Sequence, residues 1–142
     1  MIIPDINLLI YAHNINSKEH STAKKWWEDL INSETTILLP WIVISGFIRL
    51  VTSRHVLENP LPSLTAINII KNITANYNIS IISPGNKHFD ILQNFTKYIN
   101  ITGSNFTDSQ LAALAIEHNA TIYSNDLDFQ KFPGLKYINP LA

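Results

Sequence analysis

Short apolar strands alternating with amphipathic helices predict an α/β fold, a three-layer α/β/α domain with a central parallel sheet of four to five strands. Three observations carry this. Runs of β-formers recur at residues 1–3, 36–39, 79–82 and 120–123, with helical patterns between them. These runs lack the polar alternation of a strand wetted on one face, as expected where helices cover both sides of a parallel sheet. The 142 residues suit one domain with a full hydrophobic core, and no linker, repeat or low-complexity segment divides them.

The elements follow in order. Met1–Ile3 opens a buried strand that Pro4-Asp5 closes. Asn7–His13 reads as a short helix and Asn14–Glu19 as a polar loop. Ser21 is the expected cap of a helix whose Ala23, Trp26, Trp27, Leu30 and Ile31 share one face. After the strand Thr36–Leu39, Pro40 suits the first turn of a helix over Trp41–Thr52. That helix is apolar nearly all round, which predicts burial in the core or against a partner. A connector with two prolines, His55–Pro62, leads to Ser63 as cap of a helix over Leu64–Ala75 with Ile67, Ile70 and Ile73 aligned. Ile79–Ile82 is the third strand. Pro84-Gly85 is a turn, and Asn86 is the expected cap of a helix carrying Phe89, Leu92, Phe95 and Ile99. Thr107, with Gln110 three residues on, has the form of a capping box. It places Asp108 at the start of a helix, where negative charge is favoured. Ala120–Tyr123 is the fourth strand, and Tyr137-Ile138 forms a fifth that Pro140 ends.

Composition narrows the function. Apolar residues make up 46% and charged ones 15%, which excludes a disordered chain. Ten Lys and Arg stand against eleven Asp and Glu, so any nucleic-acid surface has to be local. The chain has no cysteine, hence no disulfide and no thiolate metal site. The N-terminus lacks the basic segment of a signal peptide. The longest apolar run, Ile37–Ile48, is too short to span a bilayer. These features predict a soluble, cytoplasmic protein with no membrane association.

The sparse acids concentrate where chemistry is done. Asp5 follows the first strand, Asp108 opens a late helix, and Asp126 and Asp128 follow the fourth strand. Ligands of open α/β sheets bind beyond the carboxyl ends of the strands. Each acid also has a structural role open to it, as a turn residue, a helix cap or a complement to a helix dipole. Their coincidence on one inferred sheet edge favours a site. Clustered carboxylates repel and raise one another's pKa, which a hard divalent cation relieves. An all-oxygen set suits Mg²⁺ or Mn²⁺ rather than Zn²⁺. Magnesium held by few carboxylates commonly takes phosphate oxygens as further ligands, which points to phosphate-ester chemistry.

The same residues resemble a known family. Asp5-Ile-Asn-Leu-Leu-Ile-Tyr-Ala, Phe47-Ile-Arg-Leu-Val-Thr, Thr107-Asp108-Ser-Gln-Leu-Ala-Ala-Leu-Ala, Asp126-Leu-Asp128-Phe129 and Phe132-Pro-Gly-Leu together resemble the PIN domain, and within it the VapC-type toxins of bacterial toxin–antitoxin pairs. The resemblance covers essentially the whole chain. It implies an α/β/α fold, Mg²⁺-dependent cleavage of RNA, a cognate antitoxin protein and a homodimer. By that match Asp5, Asp108 and Asp126 are the metal-binding acids, Asp128 is an auxiliary catalytic acid, and Asn7 and Thr107 are polar residues beside the site. Arg49, with Arg54, Lys87 and Lys131, is a candidate contact for RNA phosphates. The five histidines show no ligand spacing. Trp26, Trp27 and Trp41, in apolar helical contexts, read as core or partner interface in preference to base-stacking platforms, and the helices of Trp27 and Phe47 as walls of an antitoxin groove.

One departure stands out. Many family members carry a Glu just before the Phe of the F-x-R segment. Here that residue is Gly46, and no acid lies between Glu34 and Glu58. Two rival readings follow. A PIN domain with weak or no catalysis would bind RNA or a protein partner only. A haloacid-dehalogenase-like phosphatase would also use a first-strand aspartate with Mg²⁺, but its motif needs an acid two residues later, where this chain has Asn7.

Overall fold

The computed structural model describes residues 1–142. Five parallel strands form one sheet in the order β3-β2-β1-β4-β5: β1 (Ile2–Pro4), β2 (Ile37–Pro40), β3 (Ile79–Ile82), β4 (Thr121–Tyr123) and β5 (Lys136–Ile138). The helices are α1 (Ile6–His13), α2 (His20–Ile31), α3 (Trp41–Val51), α4 (Ser63–Thr74), α5 (His88–Phe95) and α6 (Phe106–Glu117). α1 packs on α2 and α3, and α3 on α4, while α5 and α6 pack on each other. Right-handed crossovers put the first four on one face of the sheet and the last two on the other. The predicted three-layer α/β/α architecture is the observed one.

The strand order carries the functional consequence. From β1 the chain steps outward through β2 to β3, then returns across the sheet to β4 on the other side of β1. The connections leaving β1 and β4 therefore part in opposite directions and open a crevice at their carboxyl ends. Pairing of Ile2 with Thr121, Ile3 with Ile122 and Pro4 with Tyr123 brings Asp5 level with Ser124 at that crevice.

The core is one cluster around Ile3, Leu9, Ile37, Leu39, Phe47 and Ile122, all fully buried. Its apolar surface comes from both helical layers, so β1 and β2 are buried along their whole length, as their unbroken apolar runs predict, while in β4 only Ile122 is fully buried. β3 departs from that reading. As a sheet edge it leaves Ser80 and Ile81 exposed.

Helix starts differ from the predicted caps. Glu19, Pro62, Lys87 and Asn105 hold the N-cap positions of α2, α4, α5 and α6, and none makes a side-chain cap bond. Ser21, Ser63 and Thr107 lie inside their helices, and Asn86 lies just outside α5. On α5 the buried residues are His88 and Phe95, while Phe89 projects into solvent. On α4 Ile67 is exposed, and Ala66 joins Ile70 and Ile73 in the core. At the end of α6, Asn119 takes the left-handed conformation (φ 51°), which Asn tolerates and which stops the helix. No helix is long and apolar enough to cross a membrane.

Candidate active site

Asp5 is the N-cap of α1. Its Oδ1 accepts the Ile6 N–H at 2.7 Å, so the capping role open to it from sequence is real. Its second oxygen does something else. Oδ2 accepts a 2.7 Å hydrogen bond from the Ser124 hydroxyl. The Asp126 N–H donates at 2.9 Å to that same hydroxyl oxygen. One fully buried serine therefore ties the end of β1 to the acidic turn after β4.

Asp126 in turn starts a 3₁₀ turn over Leu127–Lys131, its Oδ1 accepting the Asp128 N–H at 2.9 Å. Asp108 stands in the first turn of α6 and is half-buried.

The electrostatics show that these acids share a field. Burial pushes the Asp5 carboxyl above its ordinary range, against the pull of its bonds from Ser124 and Ile6, and the Asp126 charge adds to the rise. Asp108 is pushed up to about 6, first by burial, then by the charges of Asp5 and Asp126. Lys131 opposes that rise and Asp128 adds slightly to it. Burial is the first cause of both rises, and neighbouring carboxylate charges add to each. The side chains do not form a ready-made coordination shell: no three His, Asp or Glu side chains converge closely enough to hold one ion as they stand. The donors are nonetheless of one kind, hard carboxylate oxygens, two of them destabilised as anions, and this fits a hard divalent cation.

The remaining predicted residues separate into near and far. Asn7 and Thr107 are exposed on the first turns of α1 and α6, the helices that start at Asp5 and near Asp108. Asp128 is exposed on the 3₁₀ turn; its N–H donates to Asp126, and its own carboxylate reaches the cluster through weak charge coupling to Asp108. Arg49 is not brought to the site. It lies in the last turn of α3, eight residues from the end that meets the acidic edge, or about 12 Å along the helix. Lys131, by contrast, sits on the same turn as Asp126 and is the one cation whose charge reaches Asp108.

Gly46 is packed closely against Ile6. A Cβ there would lie 2.5 Å from Cδ1 and 3.2 Å from Cγ1 of the buried Ile6. Ile6 directly follows Asp5, so its apolar side chain fills the space against α3 that a longer residue would need.

Two residues at this edge escaped the sequence reading. Ser124 gives no periodic signal; only the β1–β4 register reveals that it faces Asp5. Tyr137, on β5, has a hydroxyl enclosed without a hydrogen-bond partner. Its phenol is pushed up by burial and by the Asp126 and Asp5 charges. Of the tryptophans, Trp27 is core and Trp26 stacks on Tyr123 with ring centroids 6.1 Å apart, while Trp41 is 56% exposed and so lies outside the core, the first of the two places expected for it.

Comparison with known proteins decides the family, because residues 2–135 match the model of the PIN domain. The chain belongs to the PIN-domain family, among the VapC ribonucleases. It is 40% identical over 141 residues to ribonuclease VapC33 of Mycobacterium tuberculosis, covering 99% of each chain. It is 34% identical over 143 residues to ribonuclease VapC37 of the same species, covering 100% of this chain and 99% of that one. Its fold is similar to that of VapBC-1 from nontypeable Haemophilus influenzae, with a TM-score of 0.70 at 15% identity and 100% of both chains covered. The phosphatase reading has no support beside this match.

Proposed function

We propose that this chain is a Mg²⁺-dependent endoribonuclease, the toxin of a toxin–antitoxin pair, with Asp5, Asp108 and Asp126 as its cation ligands. The observation that carries this is the coupling of the three carboxylates: Asp108 is held near 6 by burial and by the charges of the other two. A bound Mg²⁺ or Mn²⁺ would polarise a phosphoryl oxygen and acidify a water.

The chain's own residues supply the rest. Ser124 holds the Asp5 carboxylate with one oxygen committed, and the Ile6 N–H commits the other, so Asp5 is fixed in direction before any substrate arrives. Asp108 and Asp126 keep more freedom, and binding an ion has to draw them closer than they stand. Asp128, exposed beside them, orients or deprotonates the attacking water, and in-line attack leaves a 5′-phosphate and a 3′-hydroxyl. Lys131 and the polar side chains of Asn7 and Thr107 face an RNA strand laid along this edge.

The partners follow from the relatives. Relatives at 40% and 34% identity are ribonucleases by name, which supports RNA as substrate. The structural neighbours include VapBC complexes, which supports a cognate antitoxin protein as inhibitor. A homodimer and a cytoplasmic location accord with this reading.

The absence of an acid at Gly46 favours a second reading, a PIN domain that binds RNA without cutting it. One experiment separates them. Purified chain is incubated with structured RNA and Mg²⁺ or Mn²⁺, with EDTA as control, alongside Asp5→Asn and Asp108→Asn. Cation-dependent cleavage lost in both folded variants supports the nuclease. Equal RNA binding by all three without cleavage supports the silent binder.

A further inference from the structure

The acidic edge continues, one strand over, into a small cavity of about 140 Å³ between the start of α3 and the middle of α6. Trp41, Pro40, Ile82, Pro84, Leu114 and Gln110 line it. It adjoins the crevice through the sheet. Ile2 pairs with Ile37, so Pro40 ends β2 level with Asp5; Gln110 and Leu114 form its wall on α6, on a different side of that helix from Asp108.

Its chemistry is unlike that of its neighbour. None of its lining residues is charged. One wall is the indole of Trp41, 56% exposed at the mouth, and Gln110 supplies an amide with both donors and an acceptor. A phosphate or an acidic peptide would find no cation there. The volume is well below the roughly 300 Å³ at which pockets begin to take drug-sized ligands, which leaves room for a single planar ring system. A neutral, flat group with hydrogen-bonding edges is what an unpaired nucleobase offers. Bases of single-stranded RNA are commonly bound by stacking on an aromatic ring, with their edges read by hydrogen bonds.

The geometry points to a nucleobase subsite. One unpaired base of the RNA, adjoining the phosphate presented to Asp5, Asp108 and Asp126, stacks on Trp41 and is read at its edge by Gln110. This rests on the ribonuclease reading and extends it from cleavage to selection. A Gln amide pairs well with the adenine edge, which offers one donor and one acceptor side by side. Trp41 stands outside the core, so its replacement should leave the fold intact.

The test uses the full chain carrying Asp5→Asn, so that RNA is bound and not cut. Short single-stranded oligonucleotides of A, C, G or U, and one with a central abasic nucleotide, are titrated while tryptophan fluorescence is followed. Trp27 is buried and Trp26 stacked on Tyr123, so an RNA-dependent change reports chiefly on Trp41. The expected result is quenching by the base-bearing oligonucleotides and not by the abasic one. Trp41→Ala should remove the quenching and weaken binding about ten-fold. Gln110→Ala should keep the quenching and level the preference among bases. Affinity unchanged by Trp41→Ala, or equal quenching by the abasic strand, overturns the subsite. So does a concentration-dependent dimer that Trp41→Ala dissociates, since Trp41 would then face a second copy. If Trp41 proves indifferent while the unsubstituted chain still cuts RNA, the subsite alone fails; if the chain neither binds nor cuts RNA, both readings fail together.

Discussion

The Ser124 hydroxyl lies 2.7 Å from Oδ2 of Asp5, a residue 119 positions away in sequence. Because the same oxygen accepts the Asp126 N–H at 2.9 Å, Ser124 both aims Asp5 and fixes the turn that presents Asp126. Ser124→Ala should therefore act on two acids at once. Supporting hydrogen bonds of this kind typically change metal affinity or activity by about 10–100-fold when removed. We expect a folded Ser124→Ala protein with Mn²⁺ affinity lowered by at least about ten-fold, and with a stability loss of about 1–2 kcal/mol from the orphaned partners. Isothermal titration with Mn²⁺ and urea unfolding measure the two effects. Unchanged Mn²⁺ affinity would show that Asp5 holds its direction without Ser124.

Asp108 makes stability depend on pH in a direction opposite to most salt-bridged carboxylates. Its carboxyl titrates at about 6 in the fold, above its ordinary value of 3.8. The native state thus holds this proton more tightly than the unfolded chain does. Stability is gained as pH falls through 6, is complete below 3.8, and is missing at neutral pH. Asp108→Asn removes the strain. At pH 7.5 in EDTA the variant should exceed the wild-type protein by about 1–2 kcal/mol, after allowing for solvent screening of a half-exposed group, and the gap should close towards pH 4. Saturating Mg²⁺ should stabilise the wild-type protein at pH 7.5 and leave the variant where it was. Parallel melting curves across this range would show the acids to be uncoupled.

Much of the fold was legible because burial writes itself into periodicity. The strands Ile2–Pro4, Ile37–Pro40 and Thr121–Tyr123 sit where the apolar runs placed them, and the acids after them fall on one edge because parallel strands end together. Caps were less legible. The Thr107 and Gln110 pattern satisfies the chemistry of a capping box, yet α6 starts at Phe106, and Asn105 spends its side chain on Thr102 and Asn100. A cap motif records which residues can cap, whereas packing decides where the helix begins. Side chains with no partner in sequence were illegible altogether. Ser124 acquires its role only through the β1–β4 register, and Trp41 only because α3 buries the face of Val43, Ile44, Phe47 and Val51 while its first residue overhangs the edge.

Gly46 and Ile6 should behave as one unit. A Cβ at 46 would meet Ile6 Cδ1 at 2.5 Å, so a carboxylate side chain there forces the buried Ile6 aside. Gly46→Glu alone should cost at least about 2 kcal/mol through overpacking and burial of charge. Ile6→Ala alone should cost about 2–4 kcal/mol as a core truncation. The double variant should be more stable than the sum of the two by about 1–2 kcal/mol, and should bind Mn²⁺ more tightly than the wild-type protein. A double-mutant cycle in urea, with Mn²⁺ titration of each member, reads both. Strict additivity would mean that Ile6 is not what keeps α3 free of a side chain at this point.

A second buried carboxylate serves structure alone. Glu117, at the end of α6, accepts the Gly85 N–H at 2.8 Å and the Lys87 N–H at 3.1 Å, pinning the chain between β3 and α5. The position of Gly85 is tight, since a Cβ would lie 2.5 Å from Glu117 Oε2. Buried beside them, His88 has neither ring nitrogen hydrogen-bonded, and its Nδ1 lies 4.0 Å from Glu117 Oε1. Burial lowers the His88 pKa and the Glu117 charge only partly restores it, so the native state holds this proton less tightly than the unfolded chain. Stability from this group is full above pH 6.5 and declines as pH falls below it. His88→Leu should flatten the fall in melting temperature between pH 7 and 5, leaving the share due to His13, whose pKa burial also lowers. Glu117→Ala should cost about 1–3 kcal/mol at pH 7 by stranding two backbone donors, and should leave RNA cleavage per folded molecule unchanged. If cleavage fell with it, the β3–α5 connection would have to reach the acidic edge, and Glu117 would belong to the site rather than to the scaffold.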